Sequence, residues 1–131
     1  MLRFSLPGYF GVFLMLSFPE PVTALISAIN FGDLELMLAA FVDDALVNDQ
    51  LINYWGKQQI FGWASRDIIQ EHLTMQVVSG IAHYQQFIST VHIDGDFDKR
   101  GLPDPLVLTL YFSFCLDKIT QLIILRNHSG F

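Results

Sequence analysis

The sequence predicts an α+β domain in which helices come first and an antiparallel sheet follows. Between residues 22 and 69, apolar residues recur three or four positions apart, which is the period of helices. From Leu73 onward they alternate with polar residues, which is the period of strands. The chain has 131 residues, 52% of them hydrophobic, and no linker or internal repeat divides it. One folded domain is therefore expected.

Three helices are predicted from their end signals. The first begins at Pro19–Pro21, because proline is tolerated in a first helical turn, and it ends at Gly32, which suits a left-handed C-cap. Asp33 caps a second, short helix whose Leu34, Met37, Leu38 and Phe41 keep the same spacing. The third covers Gly56–Ile69 and has a broad apolar face.

Strands are predicted mainly in the second half of the chain. Between the second and third helices, Ala45–Asn48 is predicted as a very short strand and Asp49–Tyr54 as a loop. Four main strands follow, with alternating apolar positions that include Leu73, Met75 and Val77; Phe87, Ser89, Val91 and Ile93; Leu106, Leu108, Leu110, Phe112 and Phe114; and Ile119, Gln121, Ile123 and Leu125. These strands are expected to form one antiparallel sheet.

The first eighteen residues are interpreted as an N-terminal extension outside the fold, and residues 19–131 as the domain. A short apolar stretch, Tyr9–Leu16, follows Arg3 and is similar to a signal peptide, with Val22–Ala24 as a candidate cleavage site. Cleavage there would remove the first turn of the first helix, which favours an extension. A secreted form of the protein is the alternative.

Charge and cysteine content limit the expected partners and compartment. Seven Lys and Arg face thirteen Asp and Glu, a net charge of -6, so no basic stripe is present to bind nucleic acid or an anionic membrane. Cys115, the single cysteine, cannot form an internal disulfide and lies in an apolar run, so it is interpreted as a buried, inert thiol. A reducing, cytoplasmic location is expected.

No metal or cofactor site is predicted. The four histidines show no paired ligand spacing. The acidic run Asp94–Asp98 is similar to a calcium loop but has Lys99 and Pro105 where an EF-hand needs Gly and Glu, so a solvated hairpin loop is favoured. No phosphate-binding glycine loop or nucleotide fingerprint occurs in the sequence, and no cofactor is expected.

Several short motifs follow one another in a characteristic order: Ala28–Leu34, Phe41–Ala45, Val47–Asp49, Gly56 with Ile60 and Trp63, and Asp117–Ile119 leading into Leu122–Ile124. Over about 105 residues this order resembles the nuclear transport factor 2-like superfamily, which includes SnoaL-type cyclases and ketosteroid isomerase. The resemblance implies a cone-shaped fold, in which a curved antiparallel sheet wraps three N-terminal helices and leaves a pocket open at one end. The superfamily hosts several activities and also non-catalytic members, so the fold alone does not assign a function.

The resemblance also implies a site. Asp49 falls where ketosteroid isomerase keeps its catalytic aspartate, and a carboxylate at the mouth of an apolar pocket has a raised pKa, which suits acid/base work. The alternative is that Asp49 braces its loop. Tyr54 and Trp55 are interpreted either as a pocket rim or as residues that close the open end of the core. The other implied pocket residues are Trp63, Ser89, Val91, Ile93, Leu108, Leu110 and Phe112.

The chain departs from the isomerase at its two oxyanion-stabilising groups, which align with Leu25 and Leu110. Steroid isomerisation by that mechanism is therefore not expected. Two functions stay open: lyase- or isomerase-type acid/base chemistry on a hydrophobic small molecule at Asp49, and a non-catalytic dimeric ligand-binding or accessory module. A homodimer is expected through the outer sheet face, which would present Thr109 and Tyr111.

Overall fold

The computed structural model describes residues 18–127. Helices α1 (Glu20–Phe31) and α2 (Leu34–Ala39) come first, followed by strands β1 (Phe41–Asp49) and β2 (Ile52–Trp55). Helix α3 (Gly56–Trp63) continues into a π-helical turn over Ala64–Ile69. The remaining strands are β3 (Thr74–His83), β4 (Gln86–Asp94), β5 (Leu106–Cys115) and β6 (Lys118–Arg126).

Both predicted ends of α1 and the predicted start of α2 are confirmed, because they depend on local chemistry. The prediction was wrong for Phe41, which begins β1 instead of ending the second helix. Pro21 lies in the first turn of α1, and Gly32 closes the helix at a φ of 68°, where glycine is favoured. The Asp33 side chain then accepts a hydrogen bond of 3.1 Å from the backbone N–H of Leu36. The predicted third helix is also present, although its second half widens into the π turn, where the N–H of Gln70 donates to the carbonyl of Ser65.

The sheet has the strand order β2-β1-β6-β5-β4-β3 and is curved and unclosed. The four predicted C-terminal strands are confirmed, and each pairs antiparallel with the next one along the chain. The prediction was wrong for the segment before them. Strand β1 runs over nine residues, and the predicted loop Asp49–Tyr54 contains the turn and most of β2, which pairs antiparallel with β1. Strand β1 also pairs parallel with β6, so the sheet is mixed. Asp43 and Asp44 lie at a register irregularity of β1. Both side chains are exposed there, so the strand accommodates two consecutive acidic residues without burying either charge.

The helices cover one face of the sheet and form a single core with it. The largest fully buried side chains are those of Trp63, Phe41, Phe112, Leu25, Ile26, Ile29, Met37, Ile60, Leu110, Ile119, Leu122 and Val22. The predicted inward residues of β4 and β5 are part of this core. The prediction was wrong for β6, where Leu122 and Ile124 are buried instead of Ile123 and Leu125. Residues 122–125 are all apolar, so alternation does not distinguish the two faces of this strand.

The start of the domain lies at least one residue earlier than predicted. Phe18, assigned to the extension, is 8% exposed and packs edge-on against Phe87, with ring centroids 4.6 Å apart. Gly80 on β3 makes room for this pair, since a Cβ there would lie 2.7 Å from the Phe87 ring and would also clash with Phe18. The rest of the predicted extension, residues 1–17, lies outside the described residues.

The interpretation of Cys115 as a buried thiol was wrong. Cys115 is exposed, because it is the last residue of β5 and pairs with Lys118 at the β5–β6 turn, beyond the area that the helices cover. Within residues 18–127, no helix is long and apolar enough to cross a membrane.

Candidate functional site

Asp49 ends β1 on the face of the sheet that the helices cover. Its register partner on β6 is Ile124, which pairs with Leu110 on β5, which in turn pairs with Ser89 on β4. Paired residues on neighbouring strands point to the same face, and Ile124, Leu110 and Ser89 are all buried. The Asp49 side chain therefore belongs to the inner face of the cone and is partly buried there.

Two side chains hold the Asp49 carboxyl group. Trp63 donates its Nε1–H to Oδ2 at 3.0 Å, and Gln50 donates its Nε2–H to Oδ1 at 3.3 Å. Burial raises the pKa of Asp49 more than these two hydrogen bonds lower it, and the nearby carboxylate of Asp67 raises the pKa further. The net pKa is above the ordinary value of 3.8. This is the direction expected of an acid/base group, and it is opposite to that expected of a loop brace.

The implied pocket residues are side chains of the core. Trp63, Val91 and Phe112 are fully buried, and Leu110 is nearly so. Ser89 is buried as well, and its hydroxyl donates to the carbonyl of Ser79 at 2.9 Å. The remaining two, Ile93 and Leu108, are buried and partly buried respectively. In this structure the inner face is thus packed by its own residues, and their role in a ligand pocket stays a prediction.

Tyr54 and Trp55 lie on β2 rather than on a loop, and they point to opposite faces. Tyr54 packs against the core with its ring centroid 6.3 Å from that of Trp63, and its hydroxyl accepts a hydrogen bond of 3.1 Å from Arg66. Arg66 also pairs with Asp67 at 3.0 Å. Trp55 is 57% exposed on the outer face, and its backbone N–H donates to Gln59. Only Tyr54 therefore belongs to the surroundings of Asp49.

A cavity of about 650 Å³ lies beneath the loop between β4 and β5. Apolar side chains from the ends of three strands and from the loop contribute to it, among them Met75, Ile93, Phe97 and Leu106. Of the implied pocket residues, only Ile93 lines this cavity, and Asp49 does not. The loop that covers it carries an ion pair of 2.9 Å between Lys99 and Asp94.

The two positions that align with oxyanion-stabilising groups are occupied by buried leucines. Leu25 is completely buried on α1, and Leu110 is 1% exposed on β5. Neither supplies a hydrogen-bond donor for a developing oxyanion. Among the residues that the structure describes, no three His, Cys, Asp or Glu side chains are grouped in a way that could hold a metal ion.

Comparison with known proteins relates this architecture to solved structures. No family model matches the sequence, and no curated protein does. A candidate polyketide cyclase from Sinorhizobium meliloti has a TM-score of 0.76 at 20% identity, over 84% of this chain and 97% of that chain. An NTF2-like protein of unknown function from Cytophaga hutchinsonii has a TM-score of 0.67 at 11% identity, over 82% and 88%. The chain has the nuclear transport factor 2-like fold.

A further solved structure that is similar to this nuclear transport factor 2-like fold has a ketosteroid isomerase-like fold. It is a protein from Catenulispora acidiphila in complex with trimethylamine, with a TM-score of 0.70 at 19% identity, over 86% of this chain and 88% of that chain. At these identities the likeness extends to the fold. The predicted α+β cone is thereby confirmed.

The sequence analysis did not identify three polar residues on or around the part of the fold that holds Asp49. Gln50 follows it in the β1–β2 turn, Asp67 lies in the π turn, and Arg126 lies on the inner face of β6. Asp67 is ion-paired with Arg66 on the surface. Arg126 could have been found only with the correct phase of β6, which places it two residues after buried Ile124.

Proposed function

We propose that this protein binds a small apolar molecule at the inner face of the cone and that Asp49 transfers a proton there, in a lyase- or isomerase-type reaction. The observation that supports this most is the environment of Asp49. A carboxyl group that accepts two hydrogen bonds usually has a lowered pKa, yet burial leaves this one raised. Such a group is closer to the pKa that proton transfer at neutral pH requires.

The two carboxyl oxygens of Asp49 have different roles in this proposal. Oδ2 accepts the hydrogen bond from fully buried Trp63, which fixes the orientation of the carboxyl group. Among residues 18–127, the side chain that donates a hydrogen bond to Oδ1 is that of Gln50, an exposed residue of the turn, at the longer distance of 3.3 Å. Oδ1 is therefore the oxygen that would accept a proton from carbon and return it. A carbon next to a carbonyl group is the suitable site, because its proton is acidic enough for a carboxylate to remove.

The experiment that tests this is deuterium exchange. The full chain is incubated in D₂O with a panel of apolar ketones, and NMR follows the loss of protons next to the carbonyl group. We expect catalysed exchange by the wild type and a loss of about 10²–10⁴-fold in Asp49→Asn, the usual contribution of general acid/base catalysis. Asp117→Asn, which changes an exposed acid at the β5–β6 turn, is the matched control and should exchange at the wild-type rate.

The second candidate function is a non-catalytic binding module, and the burial of Leu25 and Leu110 favours it. Because neither residue donates a hydrogen bond, a developing oxyanion lacks the groups that usually contribute most to such reactions. A thermal-shift screen with small apolar molecules distinguishes the two functions, since a ligand that binds the folded state raises the unfolding temperature. Ligands that stabilise the wild type and Asp49→Asn equally, with no exchange by either, would establish the binding module.

A further inference from the structure

Arg126 lies on the inner face of the cone, at the end of the sheet where β1 also ends. Its register partner is Leu108 on β5, which packs against the core, and Leu108 pairs with fully buried Val91 on β4. Asp49 pairs with Ile124, two residues before Arg126 on the neighbouring strand. Strand geometry therefore separates the Cα atoms of Asp49 and Arg126 by about 8 Å, which long side chains can span.

Among the arginines that the structure describes, Arg126 differs from the others in lacking a counter-ion. Arg66 pairs with Asp67 at 3.0 Å, and Arg100 pairs with Asp98 at 2.7 Å. Within residues 18–127, no salt bridge or side-chain hydrogen bond involves Arg126, although it is partly buried and the chain carries an excess of acidic residues. A partly buried arginine whose strand partner is apolar Leu108 is suited to bind an anion, because its planar fork of N–H donors binds a carboxylate through two parallel hydrogen bonds.

We propose that Arg126 binds the carboxylate of the ligand, so that the molecules this site takes are apolar carboxylic acids. The apolar body of the ligand lies against the inner face beside Leu108, and Arg126 holds it next to Asp49. Arg126 is thus a positioning and specificity-determining residue. This inference rests on the proposed function for the location of the ligand, but it concerns binding and requires no reaction.

The test compares two probes that differ only in charge, 3-phenylpropanoate and its amide, 3-phenylpropanamide. Each is titrated into the full ¹⁵N-labelled chain, and dissociation constants are taken from NMR chemical shifts. We expect the acid to bind the wild type more tightly than the amide does. We expect Arg126→Gln to weaken binding of the acid by about 10- to 100-fold and to leave the amide unchanged, as for loss of a charged hydrogen-bond partner. Arg126→Lys should retain part of the affinity.

Arg100→Gln is the matched control, since it removes an exposed arginine from the loop between β4 and β5 and should change neither constant. Thermal unfolding of each variant establishes that it is folded. The proposal is overturned if acid and amide bind equally, if Arg126→Gln binds the acid as the wild type does, or if neither probe binds at ~10 mM. Failure here leaves deuterium exchange by Asp49 unaffected, whereas a wild type that binds the acid through Arg126 but catalyses no deuterium exchange refutes the proposed chemistry alone.

Discussion

Asp49 shows how a single residue acquires its chemistry from contacts that are distant in sequence. Trp63 lies 14 positions away and donates a hydrogen bond to it, while burial on the inner face has the larger and opposite effect on its pKa. A carboxyl group with a raised pKa binds its proton more tightly in the folded state than in the unfolded state. Ionisation of Asp49 therefore opposes folding.

The first prediction concerns the pH dependence of stability. Because the folded pKa of Asp49 is above the unfolded one, its contribution to stability is fully present below about pH 3.8 and is lost as pH rises through the folded pKa. The side-chain amide introduced by Asp49→Asn can still accept the Trp63 hydrogen bond but does not ionise. We expect the variant to be at least as stable as the wild type at pH 7, and to lose that advantage at pH 4. Urea unfolding at both pH values measures this.

The contrary result would identify Asp49 as a loop brace. In that case Asp49→Asn would lose about 1.5–3 kcal/mol at pH 7, the usual contribution of hydrogen bonds to a charged group. Its disadvantage would persist at pH 4, because the lowered pKa of a brace keeps the wild-type carboxylate ionised until the pH falls below the ordinary value of 3.8.

At the scale of elements, α1 is attached to edge strand β3 by polar and apolar contacts. The Asn30 side chain accepts a hydrogen bond of 2.7 Å from the N–H of Met75 and donates one of 2.9 Å to its carbonyl. It thus satisfies backbone groups on the open edge of the sheet. Further along β3, Phe18, which precedes α1 in the chain, packs over Gly80. The N-terminal segment from Phe18 to α1 therefore contacts edge strand β3 at two places, Met75 and Gly80.

The second prediction tests the contact at Gly80. A methyl group there meets the rings of Phe18 and Phe87, so Gly80→Ala should destabilise the domain by about 1–3 kcal/mol, the usual cost of overpacking. Gly62→Ala is the control, because a Cβ at that helical position meets no atom within 4 Å. It should be neutral or stabilising by about 0.5–1 kcal/mol. Denaturant unfolding measures both, and equal effects would show that Phe18 does not pack over Gly80.

The third prediction tests where the domain begins. A chain that starts at Phe18 should unfold within about 2 °C of the full chain, since the predicted extension then ends at residue 17. A chain that starts at Pro19 loses a core aromatic side chain and should be less stable by about 2–4 kcal/mol. Calorimetry of both truncations separates the effects. A large loss of stability in the chain that starts at Phe18 would place part of residues 1–17 in the fold.

At the scale of the whole molecule, the outer face of the sheet has no helix over it in the described part of the chain. The register places Ile81, Ile88, Tyr111 and Ile123 side by side across four strands of this face. Ile81 is 64% exposed, and the other three are partly exposed. A continuous apolar row of this kind is typical of an interaction surface.

The fourth prediction is that two copies associate through this face. Tyr111→Arg places a charge in the centre of the apolar row and should convert a dimer to a monomer. Gln58→Arg, on the exposed surface of α3, adds the same charge elsewhere and should leave the dimer unchanged. Light scattering of each protein at micromolar concentration gives the mass. A wild type that is monomeric, or a Tyr111→Arg variant that stays dimeric, would contradict the prediction.

Much of this architecture was determined by the sequence alone, because its signals act over a few residues. Both ends of α1 and the start of α2 follow from proline, glycine and a capping aspartate. The inward faces of β4 and β5 follow from strict alternation of apolar and polar residues. The motif order, extended over most of the chain, was enough to predict the fold and to single out Asp49.

Other features were decided only by the tertiary structure, because they depend on pairings between distant segments. The parallel pairing of β1 with β6 brings together residues as far as 78 positions apart, Phe41 and Ile119, and the β1–β2 hairpin places Gln50 against Ile124. The inward face of β6 was ambiguous because both of its faces are apolar, and that choice is what brings Arg126 to the inner face. Hydrogen bonding and burial at Asp49 follow from these pairings, so its chemical environment could not be predicted from local pattern.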